Sequence, residues 1–231
     1  MAYISFKPSD FFNPLLYTGD GTAIGSGGNA LTGVGFQPDM TWIKCRNAAQ
    51  GHQLFDAARG ATKVIWPEDS GAETTRAESL TSWQSDGFTL GNDGDVNTNS
   101  NTYVSWCWKA GTNSGVDFSS GDITPTAYSI NTTSGIGIYH YNCTGANATM
   151  VHGLSSAPKM LITKSLGDTS PWAVWHTAMA ATNYLVLNDT AAEATGAAMW
   201  NSTAPSSSVI SLGTDGQTNG TGKNNIMYAF S

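Results

Sequence analysis

Charge is scarce in this chain. Lys and Arg number 10 and Asp and Glu 17 among 231 residues, so charged side chains make up 12 %, about half the share of an ordinary domain. The basic residues are scattered and the net charge is −7. That excludes the basic footprint of a nucleic-acid binder and makes an anionic membrane surface an unfavourable partner. Apolar runs are short, and none approaches the ~20 residues of a membrane span. The opening Met1-Ala2-Tyr3-Ile4-Ser5-Phe6-Lys7-Pro8 lacks the basic and apolar blocks of a secretion signal. Without one, triplets such as Asn131-Thr132-Thr133 and Asn201-Ser202-Thr203 are not read as glycosylated. Cysteine is limited to Cys45, Cys107 and Cys143. Three thiols cannot all pair, so free and mostly buried thiols are expected, as suits a reducing cytoplasm. Long helical periodicity is missing too, which removes an α/β reading.

What is present is a repeat. Gly33-Val34-Gly35-Phe36-Gln37-Pro38-Asp39-Met40-Thr41-Trp42-Ile43-Lys44 returns as Gly153-Leu154-Ser155-Ser156-Ala157-Pro158-Lys159-Met160-Leu161-Ile162-Thr163-Lys164, with Met160 lying 120 residues after Met40. The spacing persists through Leu54–Thr62 and Val174–Thr182. A two-residue insertion then shifts it to 122, so that Leu90-Gly91-Asn92-Asp93-Gly94 meets Leu212-Gly213-Thr214-Asp215-Gly216 and Val104–Trp108 meets Ile226–Phe230. A fixed period decides architecture before any motif is read: the chain is two copies of one module.

Each copy reads as short strands separated by Gly, Asn and Asp turns. Strands are expected at Met40 to Arg46, Leu54-Phe55, Val64-Ile65-Trp66, Phe88-Thr89-Leu90 and Tyr103 to Lys109, with one or two helical turns over Ala72 to Leu80. The Met40/Trp42 side is apolar in both copies and is assigned to the core, together with Trp106 and Trp108. The fold class expected is all-β: two tandem β-sandwich modules of jelly-roll type. An N-terminal arm covers 1–16, where Phe6, Phe11 and Phe12 must pack on their own module or on a neighbour. The first module covers 17–111, a linker 112–134 and the second module 135–231. The chain stops just past its last strand, so Ser231 is read either as a natural end beyond a buried strand or as a point within a longer chain, the second being slightly preferred.

These residues resemble a known family. Gly33-Val34-Gly35-Phe36-Gln37-Pro38-Asp39 leading into Trp42-Ile43-Lys44, then Arg59-Gly60-Ala61-Thr62-Lys63, Ser85-Asp86-Gly87-Phe88-Thr89-Leu90-Gly91 and Tyr103-Val104-Ser105-Trp106-Cys107-Trp108-Lys109, are similar to a repeat module of tailed-bacteriophage virion proteins. Trp200-Asn201-Ser202-Thr203-Ala204-Pro205 and Ser208–Gly213 carry the likeness into the second copy, and Lys7-Pro8-Ser9-Asp10-Phe11-Phe12-Asn13 resembles the lead-in to such modules. The resemblance implies tandem lectin-like modules in tail fibres or related appendages, with the arm joined to the virion or to a neighbouring subunit.

Few residues suggest chemistry. A glycosidase needs two carboxylates across a cleft, whereas Asp69 and Asp93 sit in turns that favour Asp for local hydrogen bonds. No His or Cys spacing suits a metal, and no Ser stands in a nucleophile elbow. Asn92-Asp93-Gly94-Asp95-Val96-Asn97 alternates oxygen ligands as calcium loops do. It lacks the closing acid, and its second copy, Thr214-Asp215-Gly216-Gln217, loses most of the oxygens; it is read as a turn. Eight Trp is a high count, and aromatic faces at module rims suit sugars. The candidate glycan contacts are Trp66, Asp93, Asp95 and Asn97. No catalytic residue, metal or cofactor is expected. The expected protein is a non-enzymatic virion appendage, assembled in the host cytoplasm as a homo-oligomer, a trimer, with other virion proteins and a host-surface glycan as partners. A structural capsid-decorating or tail-assembly protein is the alternative, and a glycan-degrading enzyme a third.

Overall fold

A computed structural model describes residues 7–231. Phe6, and the part of the arm before Lys7, lie outside the described residues. The fold is all-β, with one four-residue α-helix and short 3-10 turns among the described residues. The chain forms two compact units. The first holds residues up to Trp66 together with Thr74–Ala110, and the second holds Pro67–Glu73 with Gly111–Ser231.

The first unit contains strands β1 (Phe12–Thr18), β2 (Asn29–Thr32), β3 (Met40–Cys45), β4 (Gln53–Asp56), β5 (Lys63–Val64), β6 (Thr74–Thr75), β7 (Leu80–Gln84), β8 (Gly87–Leu90) and β9 (Thr102–Trp108). They pair as β1-β9-β3-β4, β2-β8-β7 and β5-β6. The second unit contains β10 (Ala127–Asn131), β11 (Ile136–Asn142), β12 (Ala148–Val151), β13 (Met160–Ser165), β14 (Ala173–His176), β15 (Asn183–Val186), β16 (Ala194–Thr195), β17 (Val209–Leu212) and β18 (Asn224–Phe230). Here β10-β11-β18-β13-β14-β15-β16 is one sheet and β12-β17 another.

The repeat is visible in the pairing. β1-β9-β3-β4 has the same order as β11-β18-β13-β14, and β2-β8 the same as β12-β17. Register follows: Met40 faces Trp108 and Asp56, while Met160 faces Phe230 and His176. The turn that feeds β3 is shared as well. Gly33 and Gly153 both adopt positive φ, +96° and +64°, a backbone that glycine adopts without strain.

Three boundaries differ from the sequence reading. Phe12 to Leu16 is not an arm but most of β1, the counterpart of Ile136–Asn142, fully paired to β9. Residues 112–134 are not only linker, since Ala127–Asn131 is the edge strand of the larger sheet. Ala72 to Leu80 contains no helix. Thr74-Thr75 extends as β6, and among the described residues the one α-helix is Gly94–Asn97, α1.

The core of the first unit joins Ile43, Cys45, Phe55, Tyr103 and Cys107 of the four-stranded sheet to Leu31, Leu80, Phe88 and Leu90 of β2, β7 and β8. This corrects the face assignment. Thr41, Ile43 and Cys45 point inward, whereas Trp42 is half-buried on the outer side, as are Trp106 and Trp108. Both sides of β3 are apolar, so alternation does not choose between them. The thiols are free: Cys45 and Cys107 are buried and Cys143 is half-buried. Burial pushes the Cys143 thiol up to about 12, so little thiolate forms at neutral pH.

The second core gathers Tyr139, Tyr141, Leu161, Trp175 and Met227 with Met150, Ile210, Leu212 and Trp200. The segment Pro67–Glu73 belongs to this unit. Lys164 Nζ donates to the Ser70 carbonyl at 3.2 Å, Trp172 Nε1 to that of Asp69 at 3.0 Å, and the Glu73 N–H to that of Leu166 at 2.9 Å.

His152 sets a pH limit. It is buried; its Nδ1 accepts the Leu154 N–H at 3.0 Å, which leaves Nε2 to donate to the Ser206 carbonyl at 3.2 Å. Desolvation holds its pKa below the usual value, against the opposing Ser206 bond. As pH falls below about 6.5 the unfolded chain takes up the proton first. Stability contributed by His152 is therefore complete above that pH and lost as pH falls towards the folded value. Denaturant melts between pH 7 and 5 are expected to show this slope, and His152→Asn, whose Oδ1 can replace Nδ1, should flatten it.

Candidate functional site

Asp93, Asp95 and Asn97 lie on or beside α1. The Asp93 carboxylate caps it by accepting the Asp95 N–H at 3.0 Å, the usual reason for Asp before a helical turn. Asn97 is fully buried. Its Oδ1 accepts from the Asp20 N–H at 3.0 Å and Asn29 Nδ2 at 2.8 Å, and its Nδ2 donates to the Gly91 carbonyl at 2.8 Å and Asp20 Oδ1 at 3.0 Å. The second unit repeats the device. Asp215 Oδ1 accepts the Gln217 N–H at 2.8 Å, and Asn219 Oδ1 accepts the Thr144 N–H at 2.7 Å. Tyr17 and Tyr141 close both copies by donating to the Val96 and Thr218 carbonyls at 2.8 and 2.6 Å. Burial raises both phenols, so they remain neutral donors. Asn97, and the capping part of Asp93, are thus scaffold.

Three of the four sequence candidates do converge, around a residue the sequence reading did not select. Arg76 Nη1 lies 3.0 Å from Asp93 Oδ2 and 3.0 Å from Asp95 Oδ2, and its guanidinium carbon stands 5.2 Å from the centroid of Trp66. Gln53 Nε2 donates to both carboxylates at 3.3 and 3.2 Å. Desolvation lowers the Arg76 pKa, but the bond and charge of Asp93, then those of Asp95, outweigh it and hold it above its ordinary value. Both oxygens of Asp93 and Oδ2 of Asp95 are engaged by these donors, and Asn97 turns its amide away to Asp20 and Asn29. The cluster is a compact ion pair with an aromatic lid.

A different site opens on the outer face of the four-stranded sheet. Trp42, His52, Trp106 and Trp108 line a pocket of about 350 Å³, within the size range of small-molecule sites. Register places it. Trp42 on β3 faces Trp106 on β9, and Trp108 is two residues further along the same face. The Trp42 and Trp106 rings meet edge-on, 6.2 Å apart at 80°. Trp42 Nε1 donates to His52 Nδ1 at 3.0 Å, which fixes the proton of the neutral imidazole on Nε2. Beyond Trp108, the 38 % exposed Phe12 ring lies 5.0 Å from it. The repeat itself held a signal for this site. The second copy has Ile162, Trp172, Tyr228 and Phe230 at these places, so three of the four lining residues are tryptophans found only in the first copy.

Among the described residues, no group of three or more His, Cys, Asp or Glu stands where it could hold a metal ion, and no helix is long and apolar enough to cross a membrane. No curated protein and no solved structure matches the chain. A family model does, over residues 7–231, and spans both repeats. The chain therefore belongs to the family described as a domain of unknown function, DUF7483.

Proposed function

We propose that the protein is a structural protein of a bacteriophage virion, a tail fibre or other appendage, which adheres to host-surface glycan. The two units are read as lectin-like β-sandwich modules of jelly-roll type, since each core draws on two sheets. The virion setting rests on the likeness of Gly33–Lys44, Ser85–Gly91 and Tyr103–Lys109 to phage appendage modules.

The observation that carries adhesion is the pocket of Trp42, Trp106, Trp108 and His52. Indole faces are wide apolar surfaces with a polar edge, and the C–H face of a sugar ring stacks on such a surface while its hydroxyls meet the edge. The described lining residues contain no carboxylate, which favours binding over glycoside cleavage. A single shallow site of this kind is weak, and several copies displayed together gain avidity. A homotrimer within the virion, assembled in the host cytoplasm, supplies that display; light scattering giving a monomer at high concentration would remove the trimer.

The test is binding of labelled protein to host cells and to a glycan array. Trp106→Ala, at a position outside the core, is expected to lower cell binding by about tenfold or more while leaving the melting curve in place. Equal binding by the variant, or none by the native protein, would turn the reading towards a purely structural appendage.

A further inference from the structure

We infer that the aromatic pocket takes an uncharged glycan of at least two rings, the first held in the corner of Trp42, Trp106 and His52 and the next lying on Trp108 and Phe12. The inference rests on the adhesion reading and gives the substrate class of that site.

Charge selects the class. None of the four lining residues is a Lys, Arg, Asp or Glu, and His52 accepts the Trp42 N–H, which its charged form cannot do. Among the described residues, no cation lines the pocket to pair with the carboxylate of an acidic sugar. The chain as a whole carries −7, so an anionic polysaccharide is repelled on approach. A neutral sugar meets neither obstacle.

Shape selects the length. The Trp42 and Trp106 rings stand nearly perpendicular, forming a corner that contacts one ring on its face and its edge. Trp108 continues that face, and Phe12, directly opposite Trp108 in the β1–β9 register, extends it to the next strand, about 4.8 Å away. Phe12 and Trp108 are tilted at 47° with centroids 5.0 Å apart. This second surface is open to solvent, and it lies along β1 from Pro14 and the 62 % exposed Leu16. Trp106 and Trp108 are half-buried, and neither indole N–H is hydrogen-bonded among the described residues. Both can donate to sugar hydroxyls.

The experiment titrates the full chain with a panel of neutral disaccharides, their component monosaccharides and the matching disaccharides that carry a uronic acid. Indole N–H signals are followed by NMR. At least one neutral disaccharide should move the Trp106 and Trp108 signals and bind about tenfold more tightly than its monosaccharide and its acidic counterpart. Phe12→Leu keeps an apolar residue on the strand and removes the ring. It should reduce the disaccharide to the affinity of the monosaccharide and leave the monosaccharide unchanged. Tighter binding of the acidic sugars, an equal loss for one ring and two, or no shift with any sugar would each overturn the inference. If native protein still binds host cells in those cases, adhesion stands and only the ligand class is wrong. If cell binding is also absent, the adhesion reading itself fails.

Discussion

Arg59→Leu is expected to destabilise the protein by about 3–5 kcal/mol, the cost of leaving a buried charge without its partner. Arg59 and Asp56 form an ion pair at 2.6 Å with side-chain exposures of 1 % and 0 %. Asp56 also accepts the Arg59 backbone N–H at 2.9 Å, and Nη1 and Nη2 of the guanidinium donate to the Lys63 and Leu54 carbonyls at 3.1 and 3.0 Å. The arginine thus closes the turn between β4 and β5. Removing it takes the charged partner from the buried Asp56 carboxylate and one donor from each of two carbonyls, of which that of Leu54 keeps the Ile65 N–H at 3.3 Å. The double variant Asp56→Leu, Arg59→Leu removes both charges, so it should lose less than Arg59→Leu alone, with no buried charge left behind. Chemical denaturation measures these two variants and Asp56→Leu alone. A double variant less stable than either single one would show that the pair is held for its net attraction. The second unit supplies a natural control. His176 and Met179 occupy the matching places, and His176 Nδ1 accepts the Ala178 N–H at 3.1 Å. One neutral acceptor there holds the turn that an ion pair holds in the first copy.

The second large effect is at Asn97. Asn97→Ala removes four hydrogen bonds from a fully buried side chain and leaves the Asp20 N–H, the Gly91 carbonyl and the Asn29 amide to find other partners. Each stranded buried group costs about 1–3 kcal/mol and the terms do not add, so a loss of roughly 3 kcal/mol is expected. Asn219→Ala should cost a similar amount, because it cuts the same tie to Thr144 and Ala146. Sugar binding, measured well below the melting point, should be unchanged in Asn97→Ala. Selective loss of binding with an unaltered melting curve would return Asn97 to the set of ligand contacts.

The sequence made the repeat legible because backbone needs recur even where side chains drift. Asp39 and Lys159 share no chemistry, yet each N–H donates to the carbonyl of the closing strand, Trp108 or Phe230, at 2.8 and 2.6 Å. What was not legible was which face is inside. Trp106 and Trp108 are larger than Ser105 and Cys107, and size suggested the core. The core on that side is filled by Phe55, Phe88 and Tyr103, so small residues suffice on β9 and the indoles are left outside. The roles of the candidate residues were hidden for a related reason. Asp93 and Asn97 recur, and their recurrence reflects capping and tying of a loop. Arg76 went unnoticed because its two acids are 17 and 19 residues away along the chain. Only strand pairing brings them together.

Pro67–Glu73 has a consequence for how such a gene can change. The chain leaves the first unit at Trp66, contributes seven residues to the second and returns at Thr74. A recombination crossover near Ala110 would divide the coding sequence between the repeats but not between the units. The downstream half would lose the Ser70 and Asp69 carbonyls that receive Lys164 and Trp172. Repeat and folding unit therefore do not share a boundary, and an exchange of one repeat alone would cut across the second unit.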